Sequence, residues 1–276
     1  MSVSRLAPHS LKMALYQAKL QLLTSLSHRA KVFLLLFTDL TRALVSLGVW
    51  LAVSESAQGA RGLPMDRSQL VTYFVARALV STLVISWLVH LVPDDIREGH
   101  LSGRLLRPVT PLAYFIGNNL GSKVVRLFLL VPIALAAVLV FGADLRLPAD
   151  GLTWALFGLA VVLAAAVAFL LDMVITSLSF WLTDVWGVES AYRLAERFLN
   201  GGLIPLALFP PWLLGVAWAQ PFRYTLSFPL EILTGSLPSG GLLPGFAGQV
   251  GYVVGLYVVY RVQWRYGLRA YASAGA

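Results

Sequence analysis

Residues 151–171, GLTWALFGLAVVLAAAVAFLL, run for 21 positions without a charged side chain. A helix crossing the roughly 30 Å hydrocarbon core of a bilayer needs about 20 such residues, and only closed backbone structure survives where no water can satisfy an open amide. Similar stretches recur along the 276-residue chain, of which 58% is hydrophobic and 12% charged. They predict an all-α integral membrane protein forming one transmembrane domain over residues 1–276. Six spans are expected, near 32–53, 68–91, 125–143, 152–183, 194–220 and 241–262. The fourth exceeds what a bilayer requires, so its end near Trp181 and Trp186 should tilt or emerge. The fifth contains NGGLIPLALFPPW, residues 200–212, where Gly201, Gly202, Pro205, Pro210 and Pro211 must interrupt a regular helix.

Ahead of the first span no early apolar block ends in a small-residue cleavage site, so no removable signal is expected. Leu11, Leu15, Ala18, Leu22 and Leu26 recur at helical spacing, with Lys12, Gln17, Lys19 and Gln21 largely off that stripe. Residues 1–31 therefore read as an amphipathic helix on the membrane surface, with packing on the protein's own body as the alternative.

Orientation follows from the Lys and Arg distribution. Of the 21 such residues, 15 fall in segments 1–31, 92–126, 184–197 and 261–276, whereas Arg61, Arg67, Arg146 and Arg223 fall in the alternate loops. The first set should be cytoplasmic, with both termini inside. The formal charge of +8 thus reports topology, and no nucleic-acid partner is expected.

One cytoplasmic loop is unusual. DDIREGHLSGRLLRP, residues 94–108, carries acidic Asp94, Asp95 and Glu98 early and basic Arg104 and Arg107 late, with Ile96, Leu101, Leu105 and Leu106 between them. That order complements a helix dipole at both ends and leaves an apolar face to bury. Within the spans, Asp39, Arg42, Arg77 and Asp172 each cost about 2.5–3.5 kcal/mol to insert at mid-membrane, so partners are expected. Asp39 and Arg42 share a helix face. Arg42 and Asp172 lie at similar depth, roughly 16 and 18 Å from the cytoplasmic ends of their spans at 1.5 Å per residue, and could meet across helices. Such a network either fixes packing or lines a substrate path.

Three separated stretches, IREGHLSGRLLRPVTP, SFWLTDVWGVESAYRLAERFLNGGLIPLALFPPW and QPFRYTLSFPLEILTG, resemble the membrane subunit of type-2 ABC exporters, within a bacterial branch of that family. The resemblance implies that the loop after the second span, residues 92–124, holds a coupling helix. It would dock on a separate ATPase through Asp95, Ile96, Arg97, Glu98, Gly99, Leu101, Leu105, Leu106, Arg107 and Pro108. Residues 209–240 resemble the family's extracellular re-entrant hairpin before the last span, with Gly201, Gly202, Pro205, Pro210 and Pro211 as helix break and external gate. It also implies a bacterial plasma (inner) membrane location, two copies of an ABC ATPase, and a second permease, a different chain in preference to a second copy. ATP and Mg would then reside on the ATPase.

The chain itself carries no signature of hydrolysis. GNNLGSKV, residues 117–124, is one residue short of a phosphate-binding loop and has Val124 where the hydroxyl is needed. His9, His28, His90 and His100 are scattered, no cysteine is present, and no G-x-S-x-G elbow occurs. The adjacent Asp94 and Asp95 diverge, which disfavours a carboxylate-pair enzyme. A secondary transporter or channel would need broken helices in both halves, whereas only the later half has a Gly/Pro-interrupted span.

Overall fold

The structure, a computed structural model, describes residues 3–27, 29–56, 65–86, 88–106 and 110–274, some by backbone alone. The described residues form helices, short 3-10 turns and loops, without strands. The helices are α1 (Val3–Ser27), α2 (Arg29–Glu55), α3 (Arg67–Val84), α4 (Leu88–Arg97), α5 (His100–Leu105), α6 (Pro111–Phe141), α7 (Gly151–Thr176), α8 (Trp186–Leu199), α9 (Pro211–Ala219), α10 (Ser227–Thr234) and α11 (Leu242–Ala274). Three helical stretches, Pro111–Phe141, Gly151–Phe180 and Leu242–Tyr271, are long and apolar enough to cross a membrane. The protein is a multi-pass membrane protein.

The helix ends follow local chemistry. Asp66 caps α3 by accepting the Gln69 amide at 2.7 Å while the Gln69 side chain accepts the Asp66 amide at 3.0 Å, a reciprocal box that satisfies two amides the first turn leaves open. Asp150 caps α7 by accepting the Thr153 amide at 2.8 Å, without a reciprocal bond. That bond holds the Asp150 carboxyl below the usual carboxylate range.

At the centre sits α3, buried along Leu70, Val71, Tyr73, Phe74 and Val80 against Ala164 and Ala168 of α7 and Leu230 and Leu233 of α10. The eight residues of α10 are all buried. At one end of α3, Arg67 pairs with Glu55 at 2.6 Å and Asp144 at 3.4 Å, and Arg146 pairs with Asp66 at 3.1 Å, which gathers the end of α2 and the α6–α7 connection. At the other end, Leu88, Val92, Ile96 and Leu101 pack with Phe115, Tyr260 and Trp264.

Helix α1 lies along the start of α6. Added Cβ atoms at Gly117 and Gly121 would fall 2.2 and 2.3 Å from the carbonyl oxygens of Ala14 and Ala18, so the two backbones touch through small residues. Gln21 accepts a bond from Asn118 at 3.1 Å, while Leu11 and Leu15 stay exposed. One face of α1 is thus packed on the protein's own body and another is left outward. At about 1.5 Å per residue, α6 is roughly 46 Å long, so its first turns overrun the apolar layer.

Two expected spans differ from the observed chain. The second, 68–91, is two helices: α3 ends at Val84, and Ile85 leaves the helix with φ −51° and ψ 136°. The fifth, 194–220, is divided among α8, a 3-10 turn at Leu206–Leu208 and α9, because the proline ring removes an amide and clashes with the preceding turn. Trp212 and Trp218 are exposed there, but Phe228 is fully buried, since α10 turns back into the core.

Candidate functional site

A polar cleft of about 320 Å³ opens between α2, α3 and α8 and is closed by Asn200–Leu203 and Thr225–Leu226. Arg42 reaches it from α2, Arg77 from α3, and Glu189, Arg193, Glu196 and Arg197 from α8. Sequence reasoning singled out Arg42 and Arg77, and the fold brings both to this one space. Only the backbone of Asp39 is described, so its role lies outside the described side chains.

Asp172 is fully buried on α7. Its carboxylate accepts from the Tyr192 hydroxyl at 3.0 Å and from Arg193 at 3.0 Å. The expected partner Arg42 is thus replaced by two residues of α8. Arg193 belongs to a stretch whose charge pattern reads as cytoplasmic, and α8 packs it against the buried Asp172. Arg193 also donates to Glu196 at 2.8 Å and to the Ser86 carbonyl at 3.4 Å. The overlooked signal was the i,i+3 spacing of Arg193 and Glu196 on an amphipathic helix that directly precedes the Gly/Pro segment.

The glycines after α8 are there for close approach. Gly201 has φ +83°, where a side chain is strained, and its carbonyl accepts from the buried Tyr73 hydroxyl at 3.0 Å. A Cβ on Gly202 would lie 3.5 Å from Arg77 Nε, so that guanidinium lies across the backbone. Pro205 is buried, Pro210 precedes α9 as its cap, and Pro211 occupies the first turn, where its missing amide costs no helical bond.

The charged loop after α3 is an elbow. Gly99 turns the chain between α4 and α5 with φ +75°. Asp95, buried, is held by Arg104 at 2.6 Å, and that guanidinium lies 3.5 Å above the Tyr114 ring of α6. Burial pushes the Asp95 carboxyl up from the usual carboxylate range, and Arg104 draws it part of the way back. The residues expected to contact a partner therefore divide. Asp95, Ile96 and Leu101 are buried in the chain's own core and hold the elbow. Arg97, Glu98, Leu105 and Leu106 face outward, Leu106 at 88% exposure. Arg107 and Pro108 lie outside the described residues.

The ABC-2 family transporter protein profile matches residues 65–275. The chain belongs to the ABC-2 transporter family. Comparisons with curated proteins and with solved structures find no match. ABC-2 membership makes this a membrane permease of an ABC transporter, a class that works with an ATPase subunit. The match begins just before α3, so it takes in the cleft helices α3 and α8 and the whole elbow, and leaves α1 and α2 outside.

Proposed function

We propose that the chain is the membrane-spanning half of an ATP-driven exporter, lining half of the translocation pathway and coupled to a separate ATPase through the α4–α5 elbow. The observation that carries this reading is the elbow itself. Asp95, Arg104 and Leu101 fix it from inside while Arg97, Glu98, Leu105 and Leu106 are offered to a partner. Burying Leu106 against a groove would remove exposed apolar area, and the flanking charges would set register. ATP and Mg belong to the two ATPase copies, whose closure would pull the elbows together. This chain does not hydrolyse ATP.

Six crossings are proposed: α2, α3 continued to about residue 91, α6, α7, the α8–α9 segment and α11. The cytoplasmic end carries the elbow and the basic ends of α8 and α11, in a bacterial plasma (inner) membrane. The cluster of Glu55, Asp66, Arg67, Asp144 and Arg146 marks the outer end, which supports this orientation. The pieces between Pro205 and Thr234 form the external side of the pathway. The second permease of the complex is a different chain in preference to a copy.

Three measurements test the proposal. Tags at residues 60 and 148 should label from outside, and tags at 105 and 190 should not. Exchanging Arg97→Glu with Glu98→Arg, or placing Leu106→Asp, should leave membrane insertion unchanged and reduce ATPase co-purification. Unchanged co-purification in every elbow variant, or labelling at 105 from outside, would overturn the reading.

A further inference from the structure

Nothing in the sequence between Val84 and Leu88 requires a helix to stop. LVISWLVHLV, residues 83–92, contains neither glycine nor proline. Pro93 further on is already accommodated inside α4, so nothing at residues 85–86 forbids joining α3 and α4 into one helix over residues 67–97. Side chains of other helices meet the interruption. Lys123 of α6 donates to the Leu83 carbonyl, to that of Val84 at 3.0 Å and to that of Ile85 at 3.4 Å. An ammonium has three donors and no acceptor, and a helix end has carbonyls without intrahelical partners and a negative dipole end. Lys123 therefore matches the end of α3 in both valence and charge. One turn earlier on α6, Asn119 donates to the Ser86 hydroxyl at 2.9 Å. From the opposite side Arg193, anchored by Asp172, donates to the Ser86 carbonyl.

We infer that Lys123 and Arg193 are positioning residues that hold the α3–α4 break open, and that their release lets residues 67–97 join into one helix, which re-aims the α4–α5 elbow. The inference deepens the proposed function and rests on its reading of the elbow as the coupling element. A break that tertiary contacts satisfy and that nothing at residues 85–86 requires allows two discrete states, which is what a coupling element requires. The same residues connect it to the cleft: Ile85, Ser86 and Arg193 all line that space. A transported molecule that draws the Arg193 guanidinium away from Ser86 acts directly on the break.

Distance measurement between paired spin labels tests this in the full chain, reconstituted in lipid nanodiscs without its partners. The chain has no cysteine, so introduced cysteines label without background. Gly103→Cys on the elbow and Gly151→Cys at the start of α7 meet no atom within 4 Å of the new Cβ, and neither does Gly255→Cys on α11. The 103/151 pair reports the elbow, and the 151/255 pair reports the bundle. The parent should give one narrow distance for each pair. Lys123→Met and Arg193→Gln should each add a second distance for the elbow pair and leave the bundle pair unchanged. Lys123→Arg, which keeps cationic donors, should retain the parent distance. Ser86→Pro in the Lys123→Met background should restore the single distance, because Ile85 already has the extended conformation that precedes proline. Should Arg193→Gln not accumulate, Lys123→Met decides, with Lys123→Arg as its control. One unchanged elbow distance in the variants, or equal broadening of both pairs, would overturn the inference. Neither outcome touches ATPase co-purification, which tests the elbow's role separately.

Discussion

Arg193 and Asp172, 21 residues apart, meet at 3.0 Å on the inner side of α8, where the same guanidinium also reaches Ser86. One carboxylate on α7 thereby fixes a cation that touches both the cleft and the interrupted end of α3. Removing Arg193 should leave the Asp172 carboxylate buried without a cation and cost about 3–5 kcal/mol, removing Asp172 should cost less because Glu196 still pairs with Arg193, and removing both should cost less than the sum. Thermal unfolding of Asp172→Asn, Arg193→Gln and the double variant in detergent measures this directly. Exchanging the charges, Asp172→Arg with Arg193→Asp, should restore part of the loss, and the same exchange with Arg42 should not.

The Asp95–Arg104 pair gives the elbow a pH dependence. The folded Asp95 carboxyl already holds its proton more tightly than the unfolded one, because burial outweighs Arg104. Between the unfolded and folded values the native state binds the extra proton, so this group's contribution to stability falls as pH rises. Arg104→Met removes the compensating cation and should move the folded value further up. The variant's melting temperature should then drop as pH is raised from mildly acidic toward neutral, more steeply than the parent's. Adding Asp95→Leu should remove that extra slope.

Docking of α1 depends on the absence of side chains at two positions of α6. Gly117→Leu or Gly121→Leu would drive atoms into the Ala14 or Ala18 backbone. Overpacking of this kind costs about 1–3 kcal/mol and is relieved here by separation of the helices. Cysteines at Gln21 and Asn118, whose side chains touch at 3.1 Å, should cross-link in the parent and fail to do so in either variant.

A buried pair also holds the segment before α10. Arg223 donates to Glu231 at 2.6 Å, and its guanidinium lies 5.2 Å from the Trp218 ring. Arg223→Met alone should destabilise by about 3–5 kcal/mol because it strands the Glu231 carboxylate, whereas Arg223→Met with Glu231→Leu should regain most of that. Thermal unfolding of the two variants separates these outcomes.

Composition and periodicity were enough to determine the solvent, the helical class and the elbow's position. Uncharged runs such as 151–171 have no stable alternative to a helix in a bilayer. The family resemblance was legible for a similar reason, because its motifs are contiguous stretches. Partner choice was decided only by the tertiary structure. Arg42 matches Asp172 in depth and charge along the sequence, whereas Arg193 falls in a stretch read as cytoplasmic, and only the packing of α8 against α7 brings Arg193 to 3.0 Å. The same holds for the break at Ile85. Residues 83–92 contain no glycine or proline to mark a break, and it is Lys123, 38 residues further along the chain from Ile85, that satisfies the carbonyls of the interrupted end. Helix propensity is a sum over neighbours in sequence, whereas a buried hydrogen bond in an apolar medium is set by neighbours in space, and there the second outweighs the first.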